Sequence, residues 1–280
     1  MREEGLEHGV AEAIDRPRAP LAIISGGSSG IGLCAAKILG AKGSRIAVLA
    51  RDQQRLAQAR MTLEADGIEV VTCILDVRDA EACRTVVETL TSRHGPPLWV
   101  VASAGIVEPG FFLEQGESAT RDQMETNFLG TANLVRAAAP SMVAAGRGHV
   151  AMVASAAGLF GVAGYAGYCA SKFAVRGFAE ALRIELAASG VSVTVAVPPD
   201  TDTPQLAYER PLRPAAIAPF AGAGRPLPPE VVAAHLIRTA KRGGFLSAPT
   251  AQLAAIARLQ GAASAVLARM QMRLLSRHKS

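Results

Sequence analysis

The sequence predicts an α/β fold in which a single domain is built on a doubly wound parallel sheet. Six apolar runs, rich in Val, Ile and Leu, alternate along the chain with stretches of helical periodicity. A glycine-rich turn follows the first apolar run, as is usual where a buried strand leads into a helix. Continuous apolar strands separated by helices indicate a parallel sheet that is covered by helices on both faces.

The predicted elements follow one another in a regular order. Strands are expected at 21–25, 45–50, 69–75, 98–103, 149–155 and 191–197. Helices are expected from the glycine-rich turn to about residue 42, over the Arg-, Gln- and Ala-rich stretch after residue 50, and over 79–94, 125–143 and 168–188. Right-handed crossovers between parallel strands give the doubly wound arrangement, and ligands of such sheets bind at the carboxyl ends of the strands.

Composition divides the 280 residues into three parts. Residues 1–20 are charged at both ends and lack the apolar centre of a secretory signal, so we expect a loose leader. Residues 21–248 form the predicted domain, in which a proline-rich stretch at about 204–229 is expected to be a lid over the substrate. Residues 249–280 form a basic tail. The four cysteines show no metal-like pairing, which predicts no metal and, as reduced thiols, a cytoplasmic location.

The tail concentrates the positive charge of the chain. The net charge is +5, and no acidic residue follows Glu230. A single amphipathic helix is expected over 252–277, with arginines on one stripe and large apolar side chains on the opposite side. The arginines are Arg258, Arg269, Arg273 and Arg277, and the apolar residues are Leu253, Ile256, Leu259, Val266, Leu267, Met270 and Leu274.

Two interpretations of this tail stay open. A basic amphipathic helix binds anionic membrane surfaces, which predicts peripheral contact with the cytoplasmic face of a membrane. Apolar residues at the same spacing also form a face that packs against the protein or against a second subunit. Aromatic side chains, on which nucleic-acid bases stack, are absent from the last thirty residues, so no nucleic-acid partner is expected.

Ser155, Tyr168 and Lys172 are candidate catalytic residues because of their order and spacing. Lys172 follows Tyr168 by four residues, or about one helical turn, so both side chains lie on one face of the predicted helix. An ammonium beside a phenol favours the phenolate, so we expect Lys172 to lower the pKa of Tyr168 and to make it a proton donor and acceptor near neutral pH. Ser155 ends an apolar run and is expected at the carboxyl end of a strand.

The glycine-rich turn is a candidate phosphate site. It contains Gly26, Ser28, Ser29, Gly30, Ile31 and Gly32, with the glycines in a G-x-x-x-G-x-G pattern. Backbone N–H groups of such a turn and the N-terminus of the following helix face the pyrophosphate of a dinucleotide. A carboxylate at the end of the second strand selects NAD, but this chain has Ala50 and Arg51, and a guanidinium suits the 2′-phosphate of NADPH/NADP⁺. Asp76, after the third strand, is expected to contact the adenine amino group.

Together these residues resemble the short-chain dehydrogenase/reductase family over about residues 21–241. The resemblance rests on the glycine turn, Asp76-Val77, Asn127, Ser155, the Tyr168-x-x-x-Lys172 pair and the segment from Pro198 to Thr203. The family usually has Asn-x-Ala-Gly after the fourth strand, and this chain departs from that pattern with Ala102-Ser-Ala-Gly105. The departure removes an asparagine that props the central strands in the family, and it leaves the catalytic roles unchanged.

The resemblance implies a role for each matching residue. Tyr168 gives a proton to the substrate carbonyl oxygen, Ser155 hydrogen-bonds that oxygen, Lys172 holds the nicotinamide ribose, and Asn127 anchors a water path to the lysine. Further cofactor-binding positions are Val77, Ala104, Gly105, Pro198, Thr201 and Thr203. The resemblance also implies a Rossmann-type domain and a homo-oligomer, either a dimer or a tetramer.

The segment after the sixth strand gives the sharpest indication of the substrate. The string Pro198-Pro-Asp-Thr-Asp-Thr-Pro204 is narrower than the Pro-Gly pattern usual in the family, and it resembles reductases that convert 3-ketosphinganine to sphinganine. This resemblance predicts a long-chain keto-lipid substrate and a role in sphingolipid synthesis. Two alternatives stay open: another ketone reductase of the family, acting on a steroid, a retinoid or another lipid-like carbonyl, and a catalytically idle NADP-binding scaffold or sensor.

Overall fold

The computed structural model of the chain describes residues 19–217, 219–221 and 224–277. The predicted leader therefore lies outside the described residues, except for its last two. Within the described ranges the chain forms a seven-stranded parallel sheet with helices on both faces. This architecture confirms the predicted doubly wound α/β fold.

The strands all lie in this one sheet. They are β1 (Leu21–Ser25), β2 (Arg45–Ala50), β3 (Val70–Ile74), β4 (Trp99–Ala102), β5 (Gly148–Val153), β6 (Val191–Ala196) and β7 (Leu246–Ser247). Their order is β3-β2-β1-β4-β5-β6-β7, so the winding reverses between β1 and β4, where a doubly wound sheet opens its binding crevice. The six predicted strands all form. The edge strand β7 has two residues, too few for sequence periodicity to indicate.

The helices cover the two faces of the sheet in two groups. They are α1 (Gly30–Gly40), α2 (Gln53–Ala65), α3 (Ala80–His94), α4 (Ser118–Gln123), α5 (Gly130–Ala144), α6 (Ala166–Leu186), α7 (Pro204–Glu209), α8 (Pro229–Lys241), α9 (Ala251–Arg258) and α10 (Gln260–Arg277). Alternate residues of β1 show why both faces need cover. Leu21 and Ile23 pack with α3, α5 and α6, whereas Ala22 and Ile24 pack with α1, α2 and α8.

Trp99 is the first residue of β4, and it therefore lies at the amino ends of the strands, opposite the carboxyl ends at which the crevice opens. Its side chain is 2% exposed, and its ring stacks on that of His149 with the centroids 4.2 Å apart. Burial lowers the pKa of His149, so its imidazole is neutral at pH 7.

The predicted helix at 125–143 is longer and less regular in the structure. The helical segment begins with α4 at Ser118, passes through a π-helical turn at Met124–Leu129 and ends with α5. The residues of α4 are mostly polar, so apolar periodicity does not reveal them. A π-helical turn inserts one extra residue into a helix and occurs frequently at functional sites. Here the turn contains Asn127.

The prediction of a single helix over 252–277 is wrong. The tail forms α9 and α10, which meet at Leu259 with a bend of 110°. Contacts with the domain explain the break: Leu253, Ile256 and Leu267 pack against the core on the α6 side of the sheet. Gln271 also accepts a hydrogen bond from the backbone N–H of Ala163 (2.8 Å) and donates one to the carbonyl of Gly161 (2.9 Å).

The outward face of the tail carries both charge and apolar surface. Arg258, Arg269 and Arg273 are exposed, and Val266, Met270 and Met272 are exposed beside the arginines of α10. In the described ranges no single helix is long and apolar enough to cross a membrane. The bent pair of tail helices meets the criteria of length and composition only when both are counted together.

The proline-rich segment 204–229 folds back toward the strand ends. Its first residues form α7, and Thr203 begins this helix by accepting a hydrogen bond from the N–H of Leu206 at 3.3 Å. Single 3₁₀ turns follow at Arg210–Leu212 and Ala215–Ile217. Its function as a lid stays a prediction.

Candidate active site

A cleft of about 1070 Å³ opens at the carboxyl ends of the strands. Its walls come from the loops that follow the strands, from α7 and from both tail helices. Most of the predicted site residues line it: Gly26, Ser28, Ser29, Gly30, Ile31, Arg51, Asp76, Val77, Ala104, Gly105, Ser155, Tyr168, Lys172, Pro198, Thr201 and Thr203. The remaining two, Gly32 and Asn127, lie behind its wall.

The turn between β1 and α1 is packed so closely that it requires glycine. Gly26 has a φ of +64°, and a Cβ there would lie 2.7 Å from the backbone nitrogen of Ala104. Gly30 has a φ of +51°, and its Cβ would lie 2.9 Å from Cγ2 of Thr203. Gly32 packs against the backbone of Gly26. The Ser29 side chain does not cap α1, so the first N–H groups of this helix are available to a phosphate. The residues present therefore fit a dinucleotide.

Arg51 and Asp76 follow β2 and β3 at the same end of the cleft. Arg51 is exposed, and its charge contributes to lowering the pKa of Asp76. The larger cause is Arg78, whose Nη2 and Nε lie 2.6 Å and 2.9 Å from Oδ2 of Asp76. Asp76 is therefore ionised and already paired, and its contact with adenine stays a prediction.

Tyr168 and Ser155 bring two hydroxyl groups together in the middle of the cleft. Tyr168 lies in the first turn of α6, and Ser155 follows β5. Burial raises the pKa of Tyr168, and hydrogen bonds with Ser155 and Gln205 only partly oppose this effect. The prediction that Lys172 brings this pKa toward neutrality is therefore wrong, because burial is the largest cause of the shift and it raises the pKa. Tyr168 holds its proton firmly at neutral pH.

Lys172 lies beneath the tyrosine ring and is almost fully buried. Its Nζ is 5.6 Å from the centre of the Tyr168 ring and donates a hydrogen bond to the carbonyl of Val153 at 3.1 Å. Burial lowers the pKa of Lys172 to about 8, so the ammonium form still predominates at pH 7. The predicted position of both side chains on one helix face is confirmed, one turn apart.

Asn127 fastens the loop after β4 to the catalytic helix. Its Oδ1 accepts a hydrogen bond from the N–H of Ile106 (2.7 Å), and its Nδ2 donates to the carbonyl of Ile106 and to Oγ of Ser171, both at 2.9 Å. A Cβ on Gly105 would lie 3.1 Å from Oδ1 of Asn127 and 3.4 Å from Nζ of Lys172. Asn127 is thus close to the lysine, as its predicted role requires.

Sequence reasoning missed residues of the cleft and one of its supports. The support is Ser25, which is buried behind the cleft: its Oγ accepts a hydrogen bond from the N–H of Ala104 (3.4 Å) and so ties β1 to the loop that follows β4. Gln205 and Glu209, both on α7, also line the cleft. The signal that could have found them is Thr203-Pro204, a capping residue followed by proline, which marks the start of a helix.

A dinucleotide turn that opens into the same cleft as a tyrosine–serine pair is the arrangement of a nicotinamide-dependent oxidoreductase. The sequence model described as short chain dehydrogenase matches residues 20–213. The chain belongs to this family.

Relatives of known sequence and structure extend this assignment. The 3-dehydrosphinganine reductase of Danio rerio is 38% identical over 233 residues, and the 3-ketodihydrosphingosine reductase of Mus musculus is 37% identical over 230 residues; each alignment covers 80% of this chain and 69% of the relative. A variant of actinorhodin polyketide ketoreductase solved with NADPH is 29% identical, with a TM-score of 0.76 over 84% of this chain and 97% of that one. A short-chain dehydrogenase from Burkholderia phymatum solved with NAD, 24% identical, shares the fold with a TM-score of 0.78 over 86% of this chain and 92% of that one.

Proposed function

We propose that this protein reduces the C3 ketone of 3-ketosphinganine to the alcohol of sphinganine, with NADPH as the reductant, in sphingolipid synthesis. The similarity to 3-dehydrosphinganine reductases at 37–38% identity over 80% of the chain is the observation that carries the proposal. The Ser155–Tyr168 pair in the cleft supports it chemically, because a ketone gains negative charge on its oxygen as it is reduced and two hydroxyl donors converge there.

The two hydroxyl groups have different roles at the carbonyl oxygen: one donates a proton and the other a hydrogen bond. When bound, NADPH supplies the hydride that adds to the carbonyl carbon. Tyr168 gives its proton to the oxygen, and Ser155 hydrogen-bonds the same oxygen while charge develops. The raised pKa of Tyr168 suits this direction of reaction, because the phenol remains protonated until the oxygen becomes basic. The Lys172 ammonium then stabilises the tyrosinate that is left.

Part of the cleft wall suits an alkyl chain. Leu206 and Phe220 of the proline-rich segment, together with Leu253, Ile256 and Leu267 of the tail, contribute apolar side chains to this wall. These apolar side chains come from elements outside the central sheet, so the reacting end of the substrate lies at the sheet and its tail lies between the added elements. Apolar walls with a few converging polar groups are typical of sites for such ligands.

The proposal is tested with a panel of ketones. NADPH absorbance is followed with purified protein and detergent-dispersed 3-ketosphinganine, beside a steroid ketone, a retinal and a 3-ketoacyl thioester. Preferential turnover of 3-ketosphinganine is the expected result. Preferential turnover of another ketone would mean that this ketone is the substrate, and the assignments of the cofactor and the catalytic residues would stand. If the protein reduced none of these ketones, the scaffold alternative would be favoured.

The preference for NADPH is expected to depend on Arg51. In Arg51→Glu the guanidinium that faces the 2′-phosphate becomes a carboxylate, which repels the phosphate and accepts hydrogen bonds from a 2′-hydroxyl. We expect kcat/KM for NADPH to fall about 100-fold while that for NADH changes less than about threefold. Arg60→Glu is the matched control, because Arg60 is an exposed arginine of α2 that pairs with Glu64 outside the cleft. Equal losses with both cofactors would contradict the assignment.

We further propose that the outward face of α9 and α10 contacts the cytoplasmic face of an anionic membrane. The exposed arginines and the neighbouring Val266, Met270 and Met272 combine charge and apolar surface as interfacial helices do. A membrane-dissolved ketone would then reach a cleft whose wall is made by the same two helices.

Membrane contact predicts a loss of vesicle binding when the tail arginines are reversed. The triple variant Arg258→Glu/Arg269→Glu/Arg273→Glu is expected to lose co-sedimentation with vesicles of phosphatidylcholine and phosphatidylserine, because each arginine contributes about 1 kcal/mol near an anionic surface. The control is Arg60→Glu/Arg84→Glu/Arg93→Glu, which alters the net charge equally at exposed sites elsewhere. Equal co-sedimentation of the two triple variants would contradict docking through the tail.

We also propose that the protein is a dimer or a tetramer through the helices that hold Asn127 and Tyr168. Large apolar side chains on their outer surfaces support this: Leu129, Val143, Phe173 and Ile184 are exposed, the last by 75%. Light scattering during size-exclusion chromatography gives the oligomeric state directly.

A further inference from the structure

A network of charged side chains joins α7 to the loop after β6. Arg213 is 6% exposed and makes two bonds to Asp200, at 2.8 Å and 3.0 Å, and two to Oε1 of Glu209, at 2.7 Å and 3.0 Å. The hydroxyl of Tyr165 also donates to Oε1 of Glu209, at 2.7 Å. Burying charged groups carries a desolvation cost that surface charges avoid, and the catalytic roles described above make no use of this network.

The network has more negative than positive charge. It contains two carboxylates and one guanidinium, and burial together with Glu209 raises the pKa of Tyr165, so this phenol stays neutral. Among the described residues, every hydrogen bond to the Glu209 carboxylate ends on Oε1. Within these described residues the second oxygen of Glu209 accepts no hydrogen bond and can take a donor, and the excess charge favours a donor that is a cation.

The position of Glu209 relative to the reacting centre follows from its contact with Tyr165. The hydroxyl of Tyr165 donates to Oε1 of Glu209 at 2.7 Å, and the ring of Tyr165 lies edge-on to that of Tyr168, with the centroids 6.3 Å apart. Gln205, Glu209 and Tyr168 all line the cleft. The carboxylate is also near enough for its charge to affect Tyr168. A cation held by Glu209 therefore lies beside a carbonyl group held by Tyr168.

We propose that Glu209 binds the ammonium group that 3-ketosphinganine carries on the carbon next to its ketone. This inference rests on the proposed function and adds a subsite to it: a carboxylate for a primary ammonium, held in place by Arg213, Tyr165 and, through Arg213, Asp200. Two points of attachment, the carbonyl oxygen at Ser155 and Tyr168 and the ammonium at Glu209, fix which face of the ketone is turned toward the hydride donor. A ketone without an amine leaves the excess negative charge of the network uncompensated, which selects against steroids and retinoids.

The test compares two substrates that differ only in the amine. These are 3-ketosphinganine and its desamino analogue, the 1-hydroxy-3-ketone of the same chain length. In Glu209→Gln, the amide retains an oxygen for Tyr165 and Arg213 but loses the negative charge. We expect kcat/KM for 3-ketosphinganine to fall about 10- to 100-fold, and that for the desamino analogue to change less than about threefold. The matched control is Glu114→Gln, an exposed glutamate outside the cleft, which should change neither value.

The outcomes separate this inference from the function on which it rests. If the wild-type protein fails to reduce 3-ketosphinganine, the proposed function itself is overturned. If it does reduce 3-ketosphinganine and Glu209→Gln lowers kcat/KM for both substrates equally, Glu209 is structural and the ammonium subsite is overturned. Glu209→Asp keeps the negative charge and serves as the control for misfolding. We expect it to prefer 3-ketosphinganine over the desamino analogue more strongly than Glu209→Gln does, although less strongly than the wild-type protein. A preference as low as that of Glu209→Gln would overturn the proposal. NADPH binding, measured by fluorescence, should be the same in all variants.

Discussion

Tyr168→Phe is expected to lower kcat about 10³-fold or more, because it removes the proton donor and leaves the developing charge on the carbonyl oxygen to Ser155 alone. The ring remains, so its edge contact with Tyr165, at 6.3 Å between centroids, is kept. Tyr168 has a raised pKa and supplies its proton from the neutral phenol, so phenylalanine removes the acid without introducing or deleting a charge in the resting enzyme.

The measurement is single-turnover NADPH oxidation with 3-ketosphinganine, beside a titration of NADPH fluorescence. The dissociation constant of NADPH should stay within about threefold of the wild-type value, because the glycine turn and Lys172 are untouched. The melting temperature serves as the control for folding. Loss of NADPH binding together with turnover would mean that Tyr168 is structural, and retained turnover would place the proton donor elsewhere.

Lys172→Met is expected to lower kcat about 100-fold and, at the same time, to stabilise the fold. The activity falls because no cation remains to stabilise the tyrosinate. The folded state becomes more stable because burial disfavours the ammonium form of Lys172. This burial lowers the pKa of Lys172 from 10.5 to about 8, whereas methionine fills a similar volume without a charge. At pH 7 the gain amounts to at most about 3 kcal/mol, because a tenfold change in proton affinity corresponds to about 1.4 kcal/mol.

The pH dependence of stability identifies the cause. The folded-state pKa of Lys172 lies below its unfolded value, so the unfolded chain binds this proton more tightly. The free energy of unfolding of the wild-type protein therefore gains a contribution that rises between about pH 8 and pH 10, and the variant lacks this contribution. Subtracting the two curves cancels the cysteine thiols, which titrate in both. Lys42→Met, at an exposed lysine after α1, is the control and should show neither effect. A destabilised Lys172→Met with a wild-type slope would contradict the argument.

Patterns that are local in sequence predicted most of the fold and the central site residues. The strands of the sheet are continuous apolar runs that need no tertiary information, and the four-residue spacing of Tyr168 and Lys172 places both on one helix face. The glycine turn was predictable for the same reason, since glycine adopts the positive φ angles of Gly26 and Gly30 far more readily than other residues.

What the sequence did not predict depends on contacts between distant segments. The break at Leu259 follows from the packing of Leu253 and Leu267 against the core and from the hydrogen bonds of Gln271 to the loop before α6. The direction of the pKa shift at Tyr168 depends on burial, which follows from the tertiary fold and not from the spacing of residues along the chain. Glu209 joins the cleft only because α7 folds over the strand ends, and no periodicity along the chain indicates that.

The position of the single tryptophan determines how these experiments can be read. Trp99 is sealed at the amino end of β4 against an uncharged imidazole, while the cleft opens at the opposite end of the strands. Its emission therefore reports the integrity of the sheet, and nicotinamide fluorescence reports occupancy of the cleft. Because NADPH absorbs at the wavelengths at which tryptophan emits, bound NADPH quenches Trp99 by energy transfer. Folding is therefore best followed by tryptophan emission in the absence of NADPH, and the loss of this emission on adding NADPH gives a second measure of binding.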